Sequence, residues 1–157
     1  MLTRREDGYE IDTDPERLDL VRVHTWLASD AYWAKGREAA VTLRSVEGSV
    51  TFGVYSPDGE QVGYARAVTD LATFAWLCDV YVARGARGQG LGTWLVEVVR
   101  DRLLSTGVTR IVLATADANE VYAKAGFEPL ASPGRWMELD ARSDDVRLAT
   151  GNDPTTG

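Results

Sequence analysis

Cysteine and histidine are nearly absent from this sequence. Cys78 and His24 are the single examples in 157 residues. One cysteine excludes an internal disulfide and suits a reducing compartment. Long apolar runs are missing too: none approaches the roughly 18–20 residues that cross a bilayer. The stretch from Met1 to Glu10 is charged and lacks the apolar core of a secretion signal. A cytoplasmic location is expected, with no membrane partner. Positive charge is the third shortage: 17 Lys and Arg stand against 24 Asp and Glu, a net charge of −7. Nucleic-acid affinity comes largely from neutralising phosphates with Lys and Arg, so that class of partner is excluded. The excess of acid keeps the chain soluble and mildly favours cationic partners such as amines.

What is present is enough for a core. The chain is 45% hydrophobic and 26% charged, a globular composition of single-domain length. No internal repeat or linker interrupts it. One domain is expected over residues 1–140. From Ala141 to Gly157 the chain turns polar, and a mobile tail is expected.

The pattern predicts an order of elements. Asp14-Pro15 reads as a helix start, with Asp19 as a rival cap. Leu20, Val23 and Leu27 recur at helical spacing to about Ser29. A second helix is expected over Arg37 to Val46, ended by Gly48. Val50 to Tyr55 and Gln61 to Thr69 read as a hairpin around Ser56-Pro57-Asp58-Gly59. Thr73 to Val82 is a further strand. A strong amphipathic helix follows, with Leu91, Leu95 and Val98 on one side. Arg110 to Thr115 is a short strand, Glu120 to Ala125 a short helix, and Trp136 to Leu139 a last strand. The sum is an α/β domain with a mixed, mostly antiparallel sheet flanked by helices.

The chemistry concentrates in Arg87-Gly88-Gln89-Gly90-Leu91-Gly92, between a strand and a helix N-terminus. Unpaired backbone N–H groups and the helix dipole make such a turn attractive to anions. Glycines let the backbone approach a ligand closely. Arg84 or Arg87 adds full positive charge. A phosphate or pyrophosphate is the expected ligand. It is not a Walker A loop, which needs Gly-Lys before Ser or Thr. Nor is it a dinucleotide fingerprint, whose third glycine falls on Thr93 or Leu95 here.

This R-x-x-G-x-G run resembles the acetyl-CoA signature of the GNAT N-acetyltransferase superfamily. Tyr122-Ala123-Lys124-Ala125-Gly126-Phe127 resembles the same family's Y-x-x-x-G-F segment. Both lie in the family's order, with a strand between them, and the likeness runs from Val50 to Leu139. It implies the GNAT acyl-CoA N-acyltransferase fold, with acetyl-CoA as donor and no metal. The loop residues Arg87, Gly88, Gln89, Gly90, Leu91 and Gly92 would wrap the pyrophosphate, with Thr93 in the next turn. Val80, Tyr81 and Val82 would carry the pantetheine arm beside their strand. Many members have an asparagine two helical turns before the tyrosine; Thr115 holds that place here, and Asn119 lies closer.

Direct attack of a neutral amine on the thioester needs an acid and a base. Tyr122 is the expected acid, since a phenol is protonated at neutral pH. Asp79 is the first candidate base; strand alternation gives it the face opposite Cys78 and Val80. Asp117, Glu120 and His24 are rivals. His24, Tyr32, Trp33 and Phe74 are the expected acceptor-site residues, the aromatics being suited to hold a cationic amine. Cys78 reads as a small core residue rather than a nucleophile. The acceptor is expected to be a small-molecule or peptide amine, and the chain could form a homodimer. Two other readings stay open: an acyl-CoA-binding module without transferase activity, and a transferase of a different acyl group.

Overall fold

The computed structural model describes residues 1–143 and Arg147. The tail expected from Ala141 onward therefore falls mostly outside the described residues. The elements are β1 (Leu2–Arg4), β2 (Glu10–Asp12), α1 (Leu20–Ser29), α2 (Ala39–Glu47), β3 (Val50–Tyr55), β4 (Gln61–Thr69), β5 (Ala75–Val82), α3 (Leu91–Ser105), β6 (Ile111–Val112) and α4 (Asn119–Lys124). The strands form one sheet in sequence order. All neighbours are antiparallel except β5 and β6, which are parallel. A mixed, mostly antiparallel sheet flanked by helices is thus what the chain forms.

Side-chain alternation on β4 sorts two apolar clusters onto the two faces of the sheet. Ala65 and Ala67 join Phe52, Val54 and the α3 residues Leu91, Leu95, Val96, Val99 and Leu103. Tyr64 faces the other way, with Tyr81 and the α1 residues Val23 and Leu27. The sheet is therefore sandwiched between α3 and the α1–α2 layer.

Both rival helix caps are used. Asp14 caps a separate 3-10 turn over Pro15–Arg17. Asp19 caps α1 by accepting from the Arg22 amide at 3.0 Å. The first hairpin, β1–β2, carries too little pattern to be foreseen. Its strands are three residues each, and Ile11 is their one buried apolar residue. The strand expected at Trp136 to Leu139 does not form. Pro133–Arg135 makes a 3-10 turn, and Met137 and Leu139 stand 97% and 91% exposed. Trp136 lies instead under Arg110, whose guanidinium carbon is 4.5 Å from the ring centre. Among the described residues no helix is long and apolar enough to cross a membrane.

Candidate active site

The glycine-rich turn leaves β5 at Val82, makes a 3-10 turn over Arg84–Ala86 and enters α3 at Leu91. Gly88 and Gly90 have φ of 80° and 72°, a left-handed backbone that other residues rarely adopt. A Cβ built at either would meet nothing within 4 Å. The glycines are thus required by backbone shape, and the space in front of them is open to a ligand. The first helical bond of α3 runs from the Trp94 amide to Gly90 at 3.1 Å. The amides of Leu91, Gly92 and Thr93 precede it, and no side chain caps the helix. A 15-residue helix therefore presents uncapped donors and its positive dipole end at this turn.

The first hairpin braces the turn from behind. Arg5 Nη1 donates to the Gln89 carbonyl at 3.2 Å, and the Tyr9 hydroxyl donates to Gln89 Oε1 at 3.1 Å. Arg5 also lies over the Tyr9 and Trp94 rings. Gln89 is held in this brace and does not line the cleft that opens on the other side. Sequence reasoning missed the brace because it depends on two three-residue strands.

That cleft has a volume of about 490 Å³. Val80, Tyr81 and Val82 form one wall, and Arg87, Gly88, Gly90, Leu91, Gly92 and Thr93 close one end. Every expected donor-binding residue except Gln89 lines it. Tyr122 and Asp117 stand on α4 and the loop before it, and Tyr32 and Trp33 line the cleft with them. Tyr32 and Trp33 meet edge to face at 5.0 Å. The Ala116 amide donates to the Tyr32 hydroxyl at 3.0 Å, which ties the aromatic loop to the segment before α4.

Tyr122 is placed by its own motif. Gly126 turns the chain with φ 91°, so the Phe127 amide reaches back to the Tyr122 carbonyl at 3.0 Å. The two rings then pack edge to face at 6.0 Å. Burial, reinforced by the neighbouring Tyr32 and Asp117, pushes the Tyr122 phenol up to about 12. It is a protonated donor at neutral pH. Thr115 accepts from the Ala118 amide at 3.0 Å and so shapes the turn into α4. Neither Thr115 nor Asn119 lines the cleft; Ala118 and Val121 do.

Four of the expected site residues sit otherwise than expected. Asp79 is a poor base. Its side chain is 1% exposed, and it accepts from Trp33 Nε1 at 3.0 Å, from Arg37 at 2.7 and 3.1 Å and from Arg66 Nε at 2.6 Å. Burial pushes its carboxyl up, but Arg37 and Arg66 outweigh burial and hold it below the usual carboxylate range. It also shares a face with Cys78. Arg66 stands opposite Cys78 in the ladder and still reaches Asp79, because the register shifts here. His24 turns toward α2, with Nδ1 3.1 Å from Thr42 Oγ1, and lies outside the cleft. Phe74 precedes β5 in the turn organised by Asp70, at the far end of the strand from the glycine loop, roughly 25 Å away along an extended chain. Glu120 sits in the first turn of α4, also off the cleft.

One residue of the site was not foreseen. Asp30, the C-cap of α1, lines the cleft and gathers its cations. Tyr81 donates its hydroxyl to Oδ2 at 2.6 Å. Arg84 Nε reaches Oδ1 at 3.0 Å and its Nη2 is closer still; Arg87 Nη2 stands 3.4 Å from Oδ2. Arg84 and then Tyr81 hold the Asp30 carboxyl far below the usual range. Its only sequence signal is an acid at a helix end, which many surface residues share.

Comparison with known proteins agrees with the fold. The sequence model of the acetyltransferase (GNAT) family matches residues 20–127. "Putative acetyltransferase FG08082" of Gibberella zeae is 29% identical over 135 residues, 74% of this chain and 76% of that protein. A structure from Xanthomonas campestris pv. campestris, titled a "putative acetyltransferase belonging to the gnat family", superposes with a TM-score of 0.80. It is 36% identical and covers 88% of this chain and 96% of its own. A Mycobacterium tuberculosis protein in complex with CoA and NLQ shares the fold, with a TM-score of 0.64 at 15% identity, over 92% of this chain and 82% of that one. With its fold, its braced glycine turn and a family match across most of its length, the chain belongs to the GNAT acetyltransferase family.

Proposed function

We propose that this protein is an acetyl-CoA-dependent N-acetyltransferase acting on a small-molecule or peptide amine by direct attack. The observation that carries the reading is the continuity of one cleft. It runs from the uncapped amides of Leu91, Gly92 and Thr93, past Val80–Val82, to Tyr122. A cradle with left-handed glycines and open space where side chains would stand fits a pyrophosphate. Acetyl-CoA supplies an acetyl group activated as a thioester.

Each chain residue then has a task. The amides of the α3 first turn and Arg87 bind phosphate oxygens. Val80 and Val82 offer backbone to an extended pantetheine arm. The bulge at Asp79–Val80 interrupts the ladder and leaves backbone N–H able to meet charge developing on the carbonyl oxygen. Tyr122 protonates the departing sulfur. Asp117, exposed and lining the same cleft, takes the proton of the amine, directly or through water. Tyr32 and Trp33 form the acceptor wall.

Tyr122→Phe tests the chemistry. Turnover should fall by about 100-fold or more, the usual scale for a general acid, while acetyl-CoA affinity stays within about twofold. Unchanged thiol release would remove Tyr122 from the mechanism.

A further inference from the structure

At Asp79 the main chain of β5 leaves regular strand geometry. Its φ is 52°, a left-handed value that Asp and Asn tolerate better than most residues. Tyr64 pairs with Tyr81 and Arg66 with Cys78, so Asp79 and Val80 together stand against Ala65. This is a bulge, which bends the strand and re-aims the side chains beyond it. The effect is visible in the core. Ala75 and Leu77 belong to the α3-side cluster, and after the bulge Val80 and Val82 pack against that same cluster. Val80 is also the first β5 residue to line the cleft.

The carboxylate that sits at the bulge is full. Oδ1 accepts from Trp33 and Arg37, and Oδ2 from Arg37 and Arg66. Two bonds to each oxygen fill the roughly four acceptor sites a carboxylate has. The donors come from the segment between α1 and α2 and from β4. Arg66 is anchored in turn by Ser49 Oγ at 3.3 Å. Arg37 and Arg66 are only 17% and 15% exposed, and neither lines the cleft, whereas Trp33 does. One buried anion thus joins the bulge that shapes the donor wall to the loop that carries the acceptor wall.

We propose that Asp79 is a positioning residue: it holds the β5 bulge and Trp33 in one geometry, and so aligns donor and acceptor without touching either. The inference rests on the N-acetyltransferase reading above. It replaces the base role by one carried out through Val80 and Trp33.

The test uses Asp79→Asn and Arg37→Lys in the full chain. Asparagine tolerates the left-handed backbone but loses the charge. Lysine keeps the charge at Arg37 but loses the two-pronged contact. Three quantities are read: acetyl-CoA affinity by calorimetry, kcat against pH, and the Trp33 indole N–H resonance, assigned with Trp33→Phe. Affinity should stay within about threefold, because the glycine turn is untouched. The kcat of Asp79→Asn should fall by about 10- to 100-fold, and that of Arg37→Lys by a smaller factor. The acidic limb of the pH profile should keep its midpoint, and the indole proton should shift in both variants. Loss of the acidic limb in Asp79→Asn would make Asp79 the base and overturn the proposal. Unchanged kcat in folded Arg37→Lys would overturn it too, and this arm decides if Asp79→Asn does not fold. If the wild type binds no acetyl-CoA, the transferase reading fails by itself. The indole resonance and hydrogen exchange at Val80 then still decide whether Asp79 holds the bulge, and an unmoved resonance with unchanged exchange would sink it.

Discussion

Asp79 and Asp30 make the same contacts in two different solvents. Each accepts from two arginines and one aromatic donor: Arg37, Arg66 and Trp33 for the first, Arg84, Arg87 and Tyr81 for the second. The first trio is sealed, with its carboxylate side chain 1% exposed; the second lies open, with Arg84 and Arg87 76% and 51% exposed. In the sealed site attraction is strong and an unpaired partner is costly. In the open site water and salt screen the pair, and another anion can displace it at little cost. Burial turns one constellation into a fixed joint and leaves the other as an exchangeable counter-ion. Of the two carboxylates and their arginines, only Asp30, Arg84 and Arg87 line the cleft where phosphate oxygens would arrive.

The largest effect should come from breaking the sealed site. Asp79→Ala strands two half-buried guanidinium groups and should cost about 3–5 kcal/mol of folding stability at neutral pH, read by urea denaturation. The sign of its pH dependence follows from the lowered carboxyl. A depressed folded value means the stabilisation is present above the unfolded value, near 3.9, and is lost as pH falls through the folded one. The gap between wild type and variant should therefore narrow below about pH 4. A gap of constant size down through that range would mean that Asp79 stabilises by packing alone.

A smaller effect is expected at the open site. Asp30→Asn should leave folding stability nearly unchanged and tighten acetyl-CoA binding by a few-fold, more at low salt than at high. The gain should vanish when Arg84 and Arg87 are replaced by Ala. Weaker binding by Asp30→Asn would show that this carboxylate positions the arginines rather than competing for them, and the contrast between the two sites would collapse.

The smallest effect is predicted for Cys78, which shares the sealed face. Burial pushes its thiol up to about 11, so little thiolate is available at neutral pH. Cys78→Ala should keep turnover within about twofold. A large loss in folded protein would revive a covalent route.

These contrasts explain which parts of the molecule the sequence made legible. Gly88, Gly90 and Gly126 were readable because a left-handed backbone leaves its mark on residue type. The apolar spacing of α3 and the turn between β3 and β4 were readable for the same local reason. Asp79 and Asp30 were not, because their roles are set by arginines between 13 and 57 positions away. Period-two reasoning placed Asp79 opposite Cys78 and failed at the bulge, which shifts the alternation by one residue. Trp136 to Leu139 had strand-forming residues but pairs with no strand of the sheet. β1 and β2 had a partner edge but only three residues each to announce it.

The most direct test of the account is calorimetric titration with acetyl-CoA of the wild type and of a Gly90→Glu variant shown to be folded. Glutamate would place bulk and negative charge in open space at the head of α3, on a backbone with φ 72°. Saturable binding by the wild type and at least a tenfold loss in the variant are expected, in line with the strength of charged contacts at a helix N-terminus. Equal binding by both proteins would place the donor elsewhere, and no binding by the folded wild type would contradict the transferase reading outright.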